Sequence, residues 1–230
     1  MRSRLLFEAL AVLAFLVVAT GVIAVTGADL SASAPFFIEG KWPVGDRFFW
    51  QLLYRLDRLP SISLGIVGLV VFLMSFAKRE YYRWRRAGAF LFLLLVLGPG
   101  LLVNTVFKEH WGRPRPREIV EFGGQKQFLH PWQKGQDGNG RSFPSGHSSA
   151  AFYMAAPYLI YRRRDKKRAY AWLAGGLLFG IVMSIARITQ GAHFFSDNLW
   201  AFGVVDLSAL LLAALLDLDG ASEASPAPKE

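Results

Sequence analysis

FPSGHSSAAFYMAAPYLIY, residues 143–161, sets a proline, a serine, a glycine and a histidine directly before a long apolar run. Pro is favoured at the first position of a helix, where its missing N–H has no partner to lose. The backbone amides that follow, at Ser145 and Gly146, sit at the positive end of the helix dipole and suit an anion. The stretch therefore reads as the start of a membrane span over 144–161, with the titratable His147 at its threshold. Taken alone, it is equally an ordinary helix start that happens to carry a histidine.

Composition supports a membrane. Of the 230 residues, 53% are hydrophobic and only 19% charged, with a mean hydropathy of +0.30. That excludes an ordinary soluble domain. A net charge of +9 would suggest a nucleic-acid partner in a soluble protein. Here the positive residues cluster between apolar runs, as they do in membrane proteins, and no nucleic-acid partner is expected. The absence of cysteine excludes disulfides, thiolate chemistry and Cys-based zinc sites.

Six stretches match a bilayer core of roughly 30 Å: residues 5–26, 61–77, 87–107, 144–161, 169–187 and 194–216. The first follows MRSR and precedes SASA, as a signal peptide would, but its apolar core exceeds the usual span of about 7–15 residues. It reads as an uncleaved span. Gly98-Pro99-Gly100 predicts a kink in the third span. Gly176 and Gly180, four apart in the fifth, predict close helix packing. The expectation is an all-α fold: one bundle of six transmembrane helices over 1–219, then a disordered cytoplasmic tail over 220–230. GDRFFWQLLYRLDRLP (45–60) alternates aromatics and leucines with charge, which fits either a helix lying in the interface or one packed on the outer helix ends.

The loops KREYYRWRR (78–86) and RRRDKKR (162–168) are short and dense in positive charge. The chain's 26 Lys and Arg divide almost evenly between the two sides, so density alone sets the orientation. It puts both termini in the cytoplasm and residues 108–142 outside.

Three motifs then fall on the same outer face. KEHWGRPRPRE closes the third span with Lys108 and continues with Arg113, Arg115 and Arg117. The second motif is the opening stretch. In ARITQGAHFFSDNLW, Arg187 closes the fifth span and His193 and Asp197 begin the sixth. His193 and Asp197 are four apart and share a helix face. A carboxylate near one imidazole nitrogen fixes the tautomer and leaves the other a better base or nucleophile. Singly, each motif also fits an interfacial anchor or a structural hydrogen bond. Together they bring cations, amides and two imidazoles to one place, which suits phosphoryl transfer.

The chain resembles the type 2 phosphatidic acid phosphatase family. The family's motifs are a Lys with Arg-Pro seven residues on, a PSGH, and an Arg followed by His after six residues and Asp after four more. They match here as Lys108 with Arg115-Pro116, as Pro144 to His147, and as Arg187, His193 and Asp197. Ala186 departs from the serine common before that Arg. The resemblance implies that His193 attacks phosphorus to form a phosphohistidine, with Asp197 orienting it. His147 would protonate the leaving alkoxide and then activate water. Lys108, Arg115, Ser145, Gly146 and Arg187 would hold the phosphate. It implies no metal and no cofactor. The partner is the bilayer and a phosphorylated lipid within it: a lipid A phosphate, phosphatidylglycerophosphate or undecaprenyl diphosphate. The setting is a bacterial inner membrane, multi-pass, with the site facing the periplasm. A lipid phosphotransferase would use the same residues; a non-catalytic lipid-binding or transport protein would not need two histidines. Arg113 and Arg117 are left either to a second phosphate or to lipid headgroups. Trp111, Phe122, Phe128 and Trp132 either line the approach or form an interfacial belt.

The orientation is checked by single cysteines in this Cys-free chain. Asp137→Cys is expected to react with an impermeant thiol reagent on intact cells and Asp165→Cys is not; the reverse pattern would turn the protein over.

Overall fold

The structure, a computed structural model, describes residues 2–218 apart from Asp57, Asp137 and Asn139; the expected tail at 220–230 lies outside the described residues. The chain is all-helical. Helices α1 (Arg2–Thr26) and α2 (Ala28–Ser33) are followed by α3 (Phe48–Leu56), α4 (Arg58–Ala77) and α5 (Arg85–Leu95). A π-helical stretch, Val96–Phe107, and the single turn α6 (Lys108–His110) continue α5. After a long loop come α7 (Gly146–Tyr153), α8 (Pro157–Tyr161), α9 (Lys166–Thr189) and α10 (Phe195–Leu215). Among the described residues there is no β-strand, only isolated bridges Ile38–Lys41 and Ile119–Lys126.

Among the described residues, five helical segments are long and apolar enough to cross a membrane: Ser3–Thr26, Phe48–Ala77, Arg79–His110, Lys166–Thr189 and Phe195–Leu215. Their packing is inverted relative to a soluble bundle. On α4 the buried positions are Ser61, Gly65, Gly68 and Ser75, whereas Leu59, Ile66, Val67, Leu73 and Phe76 face outward. Small residues admit the neighbouring backbone and the large apolar ones meet hydrocarbon. In the centre, Phe90, Leu94, Tyr153, Val205 and Ala209 form one core, with the Tyr153 hydroxyl donating to the Leu91 carbonyl at 2.8 Å.

The expected span over 144–161 is not one helix. It breaks at Met154–Ala156, where amide bonds reach back three residues instead of four (Met154 N to Ala151 O, 3.1 Å; Ala156 N to Tyr153 O, 2.9 Å). Pro157, with no N–H and a ring that crowds the turn before it, starts α8 afresh. The two pieces still carry the chain to the far end of the bundle, where Arg162 pairs with Glu8 of α1 at 2.8 Å. Among the described residues, five of the six expected crossings are thus made by single long helices and the one over 144–161 by two short ones. In the third span, the expected kink at Gly98-Pro99-Gly100 is a wide π-helix. Pro99 cannot join a regular ladder, and the Asn104 side chain donates to its carbonyl at 2.7 Å. Helix α3 occupies the stretch read as an interfacial helix. Its Trp50 and Leu53 pack on Ala151, Met183 and Ala186, and Phe48 and Phe49 are exposed.

Gly176 and Gly180 seat α9 against α7 and the break that follows it. A Cβ at Gly176 would lie 2.3 Å from the Ala155 amide nitrogen, and one at Gly180 2.1 Å from the Phe152 ring. Gly176→Ala is expected to destabilise the fold by about 1–3 kcal/mol, since backbone cannot move aside. Gly175→Ala, where nothing lies within 4 Å, should leave the melting temperature in detergent unchanged or slightly raised. Equal melting temperatures for the two variants would contradict the close seating.

Candidate active site

The ends of α6 and α9 and the starts of α7 and α10 meet at one end of the bundle, so the three motifs converge although 79 positions separate Lys108 from Arg187. Arg115, Arg187, Arg58 and Arg141 lie close enough to repel Lys108, Arg187 and His147 flank the Tyr54 ring, and the Ser145 amide donates to the Asp197 carbonyl. All eight residues expected at the site lie in this cluster.

His193 sits in the loop between α9 and α10, 1% exposed. The turn that delivers it needs a glycine. Gly191 has φ +58°, a backbone state costly to other residues, and a Cβ there would meet the Trp42 ring at 2.3 Å. The amides of Ala192 and His193 then bond to the Arg187 carbonyl (3.0 and 3.3 Å), which fixes the nucleophile candidate to the cation that precedes it. His193 Nδ1 lies 2.7 Å from the Ser142 carbonyl oxygen. A carbonyl only accepts, so Nδ1 carries the proton and Nε2 keeps its lone pair. Burial, joined by the field of Arg187 and working against Asp197, pushes the His193 pKa down to about 3. The ring is neutral at physiological pH.

Asp197 does not bond the ring directly, as its nearest oxygen is 3.8 Å from Nδ1. Its Oδ2 accepts from the Ser142 hydroxyl (2.6 Å) and the Phe194 amide (2.8 Å), and its Oδ1 pairs with Arg113 (2.5 Å). The link to His193 passes through Ser142, whose carbonyl takes the ring proton while its hydroxyl serves the carboxylate. The sequence contained no signal for this intermediary.

Arg113 has its donors taken up within the protein. It is wholly buried: Nε donates to the Leu129 carbonyl (2.8 Å), one terminal nitrogen bonds Ser196 and Asp197, and the other pairs with Asp29 of α2 at 2.8 Å. Arg117 is exposed, and only its amide is committed, to the Gly191 carbonyl at 3.0 Å. Phe122 and Phe128 pack with Phe194 rather than lining an approach, Trp111 donates to the Pro131 carbonyl, and Trp132 is exposed and stacked on His130.

Among the residues expected to hold phosphate, Lys108 donates to Asn104 one turn earlier at 3.0 Å. Arg115 is half-buried, with Glu118 bonded to its amide at 2.8 Å; burial and the adjacent Arg117 lower its pKa, from so high a value that it stays a cation. Ser145 caps α7. Its hydroxyl bonds Ser148 and its amide donates to the Asp197 carbonyl at 3.1 Å, so the expected pair of open amides reduces to the turn that Gly146 begins. Arg187 bonds Gln190 and lies 4.7 Å over the Tyr54 ring, and that ring stacks on His147 at 4.8 Å. Tyr54, Arg58 and Asn104 are thus site neighbours that the motifs did not reveal. Among the described residues no group of three or more His, Asp or Glu is placed to hold a metal ion.

The PAP2 superfamily profile matches residues 87–217, more than half of the chain. The chain belongs to the PAP2 superfamily. It is 35% identical over 172 residues to a lipid A 4'-phosphatase of Francisella tularensis subsp. novicida, covering 73% of this chain and 76% of that one. It is 35% identical over 193 residues to a lipid A 4'-phosphatase of Rhizobium etli, covering 81% and 73%. The crystal structure of a transmembrane PAP2-type phosphatidylglycerolphosphate phosphatase from Bacillus subtilis shares the fold, with a TM-score of 0.57, 22% identity and coverage of 91% of this chain and 96% of that one. The protein is accordingly a multi-pass membrane phosphatase of this family.

Gly146 gives a direct test of the phosphate pocket. A Cβ there would lie 2.4 Å from Asn104 Oδ1 and 2.8 Å from Lys108 Nζ. Gly146→Ala should displace the lysine and weaken inhibition by vanadate at least about tenfold, or about 1.4 kcal/mol, with little change in melting temperature. Unaltered vanadate affinity would place Lys108 away from the phosphate.

Proposed function

We propose that the protein hydrolyses the phosphate of an envelope lipid through a phosphohistidine on His193. The observation that carries this reading is the commitment of Nδ1 to the Ser142 carbonyl, which leaves a neutral imidazole with its Nε2 lone pair in the field of Arg187 and Lys108. A protonated ring could not attack; this one needs no activation beyond burial and the hydrogen bond.

In the first step Nε2 attacks phosphorus and the bond to the lipid oxygen breaks, with the electron pair leaving on that oxygen. His147 takes up a proton when the phosphate dianion enters among Arg187 and Lys108, whose charges otherwise oppose its protonation, and passes that proton to the alkoxide. In the second, His147 takes a proton from water as the water oxygen attacks phosphorus, and the N–P bond breaks to release orthophosphate. Lys108, Arg115, Arg187 and the Gly146 amide hold the equatorial oxygens, and Ser145 joins them by turning its hydroxyl from Ser148. Charge neutralisation by these cations is the principal catalytic term. Asp197 acts on His193 through Ser142. No metal or cofactor is assigned a role.

The substrate is taken as a lipid A phosphate, in keeping with the names of the relatives at 35% identity; phosphatidylglycerophosphate and undecaprenyl diphosphate are the competing substrates. The site faces the periplasm from a bacterial inner membrane, with the dense basic loops at 78–86 and 162–168 in the cytoplasm. The phosphate of a membrane lipid then sits at the depth of the α7 start.

Purified protein in detergent is expected to release inorganic phosphate from lipid A, in EDTA as well as without it. A phosphate that moves to a second lipid instead of to water would make the protein a transferase. His193→Ala should abolish release. His147→Ala should slow alkyl lipid phosphates by about 10²–10⁴-fold, yet keep the first step on p-nitrophenyl phosphate, whose phenolate leaves without a proton. That reaction should show a burst of nitrophenol followed by slow turnover. Equal losses on both substrates, with no burst, would remove His147 from the acid's role.

A further inference from the structure

Asp29 lies in α2, well before the residues that match the family profile, and carries none of the three motifs. It is 2% exposed, and its carboxylate is shared between the start of α10 and Arg113. Its Oδ1 accepts from the Ser196 amide (2.8 Å), and its Oδ2 accepts from the Ser196 hydroxyl (2.6 Å) and from Arg113 (2.8 Å). The guanidinium reaches past it to Asp197. Two carboxylates therefore share one buried cation, and the three groups together carry one negative charge.

That surplus charge matters for His193. Arg113 alone would cancel Asp197, and the ring would face a neutral pair. With Asp29 on the other side of the guanidinium, the cluster stays negative next to an imidazole that becomes cationic once Nε2 is bonded to phosphorus. The geometry works in the same direction. Arg113 takes one oxygen of Asp197 and, with Asp29, holds the Ser196 turn, so the other oxygen stays on Ser142 and Phe194. Ser142 in turn holds the ring proton.

Resting on the assignment of His193 as nucleophile, we infer that Asp29 is a positioning residue for the reaction, acting through Arg113 on Asp197. It touches neither substrate nor the reacting nitrogen. Its influence should appear in turnover rather than in binding, because the charge it balances develops only after attack.

The test is a double-mutant cycle on phosphate release. Asp29→Asn is expected to lower kcat by about 10–100-fold, as loss of an outer supporting partner commonly does, with KM held within about threefold. Asp197→Asn removes the group through which Asp29 acts, so Asp29→Asn/Asp197→Asn should be no slower than Asp197→Asn alone. Effects that multiply would show that Asp29 merely stabilises the fold and would overturn the inference, as would full turnover in Asp29→Asn. Should Asp29→Asn not be recovered folded, Arg113→Lys carries the same cycle, since it keeps the charge and loses the fork that joins the two carboxylates. Turnover surviving in His193→Ala would instead overturn the nucleophile itself, through a separate variant.

Discussion

The site is organised around one buried guanidinium. Arg113 is withdrawn from water entirely, which is tolerable only because its donors meet two carboxylates, a hydroxyl and a carbonyl. Those partners come from α2, from the loop at Leu129 and from the start of α10, so a single side chain pins three segments distant in sequence. The Phe194 ring, 4.5 Å from the guanidinium carbon, closes over it. Removing one member of such a group leaves an uncompensated buried charge, typically a loss of about 3–5 kcal/mol. The arrangement is thus intolerant of partial change, and the position of Asp197 inherits that rigidity.

Around this anchor the helices solve a problem set by the membrane. Apolar residues gain nothing by leaving lipid for the bundle interior, so contact depends on shape and on polar bonds. Gly176 and Gly180 let α9 approach α7, and serines such as Ser208 of α10 turn their hydroxyls onto their own helix backbone (to Val204 O, 2.6 Å). The π-helix is part of the same solution. It absorbs Pro99 and ends with the Lys108 amide bonded to Val103, five residues back. At its end Asn104, one turn before Lys108, accepts from the lysine while its amide holds the Pro99 carbonyl.

Much of this was legible in the sequence because hydropathy and spacing are local signals. The spans at 5–26, 169–187 and 194–216 agree closely with α1, α9 and α10. The span at 144–161 differs because Pro157 sits in the middle of an apolar run whose length alone fits a crossing. The motif residues were legible because helix ends announce themselves through caps and charge. Arg113 was not, since the first of three alternating arginines looks the same whether it faces phosphate or is buried. What decides its fate is Asp29, 84 positions earlier, and a pairing over that distance leaves no periodic trace. Ser142 was hidden for a related reason: its part is played by a backbone carbonyl, which every residue possesses.

The start of α7 is bonded to the start of α10 through the Ser145 amide and the Asp197 carbonyl. The first amides of α10 are taken by Asp29 and Asp197, so the helix end that stays open here is the turn that Gly146 begins. Any field that the α7 start contributes belongs to the main chain and does not depend on a single side chain. A lineage can therefore exchange one of the surrounding cations without emptying the pocket of its field. Such tolerance gives room for headgroup preference to drift while the chemistry at phosphorus persists.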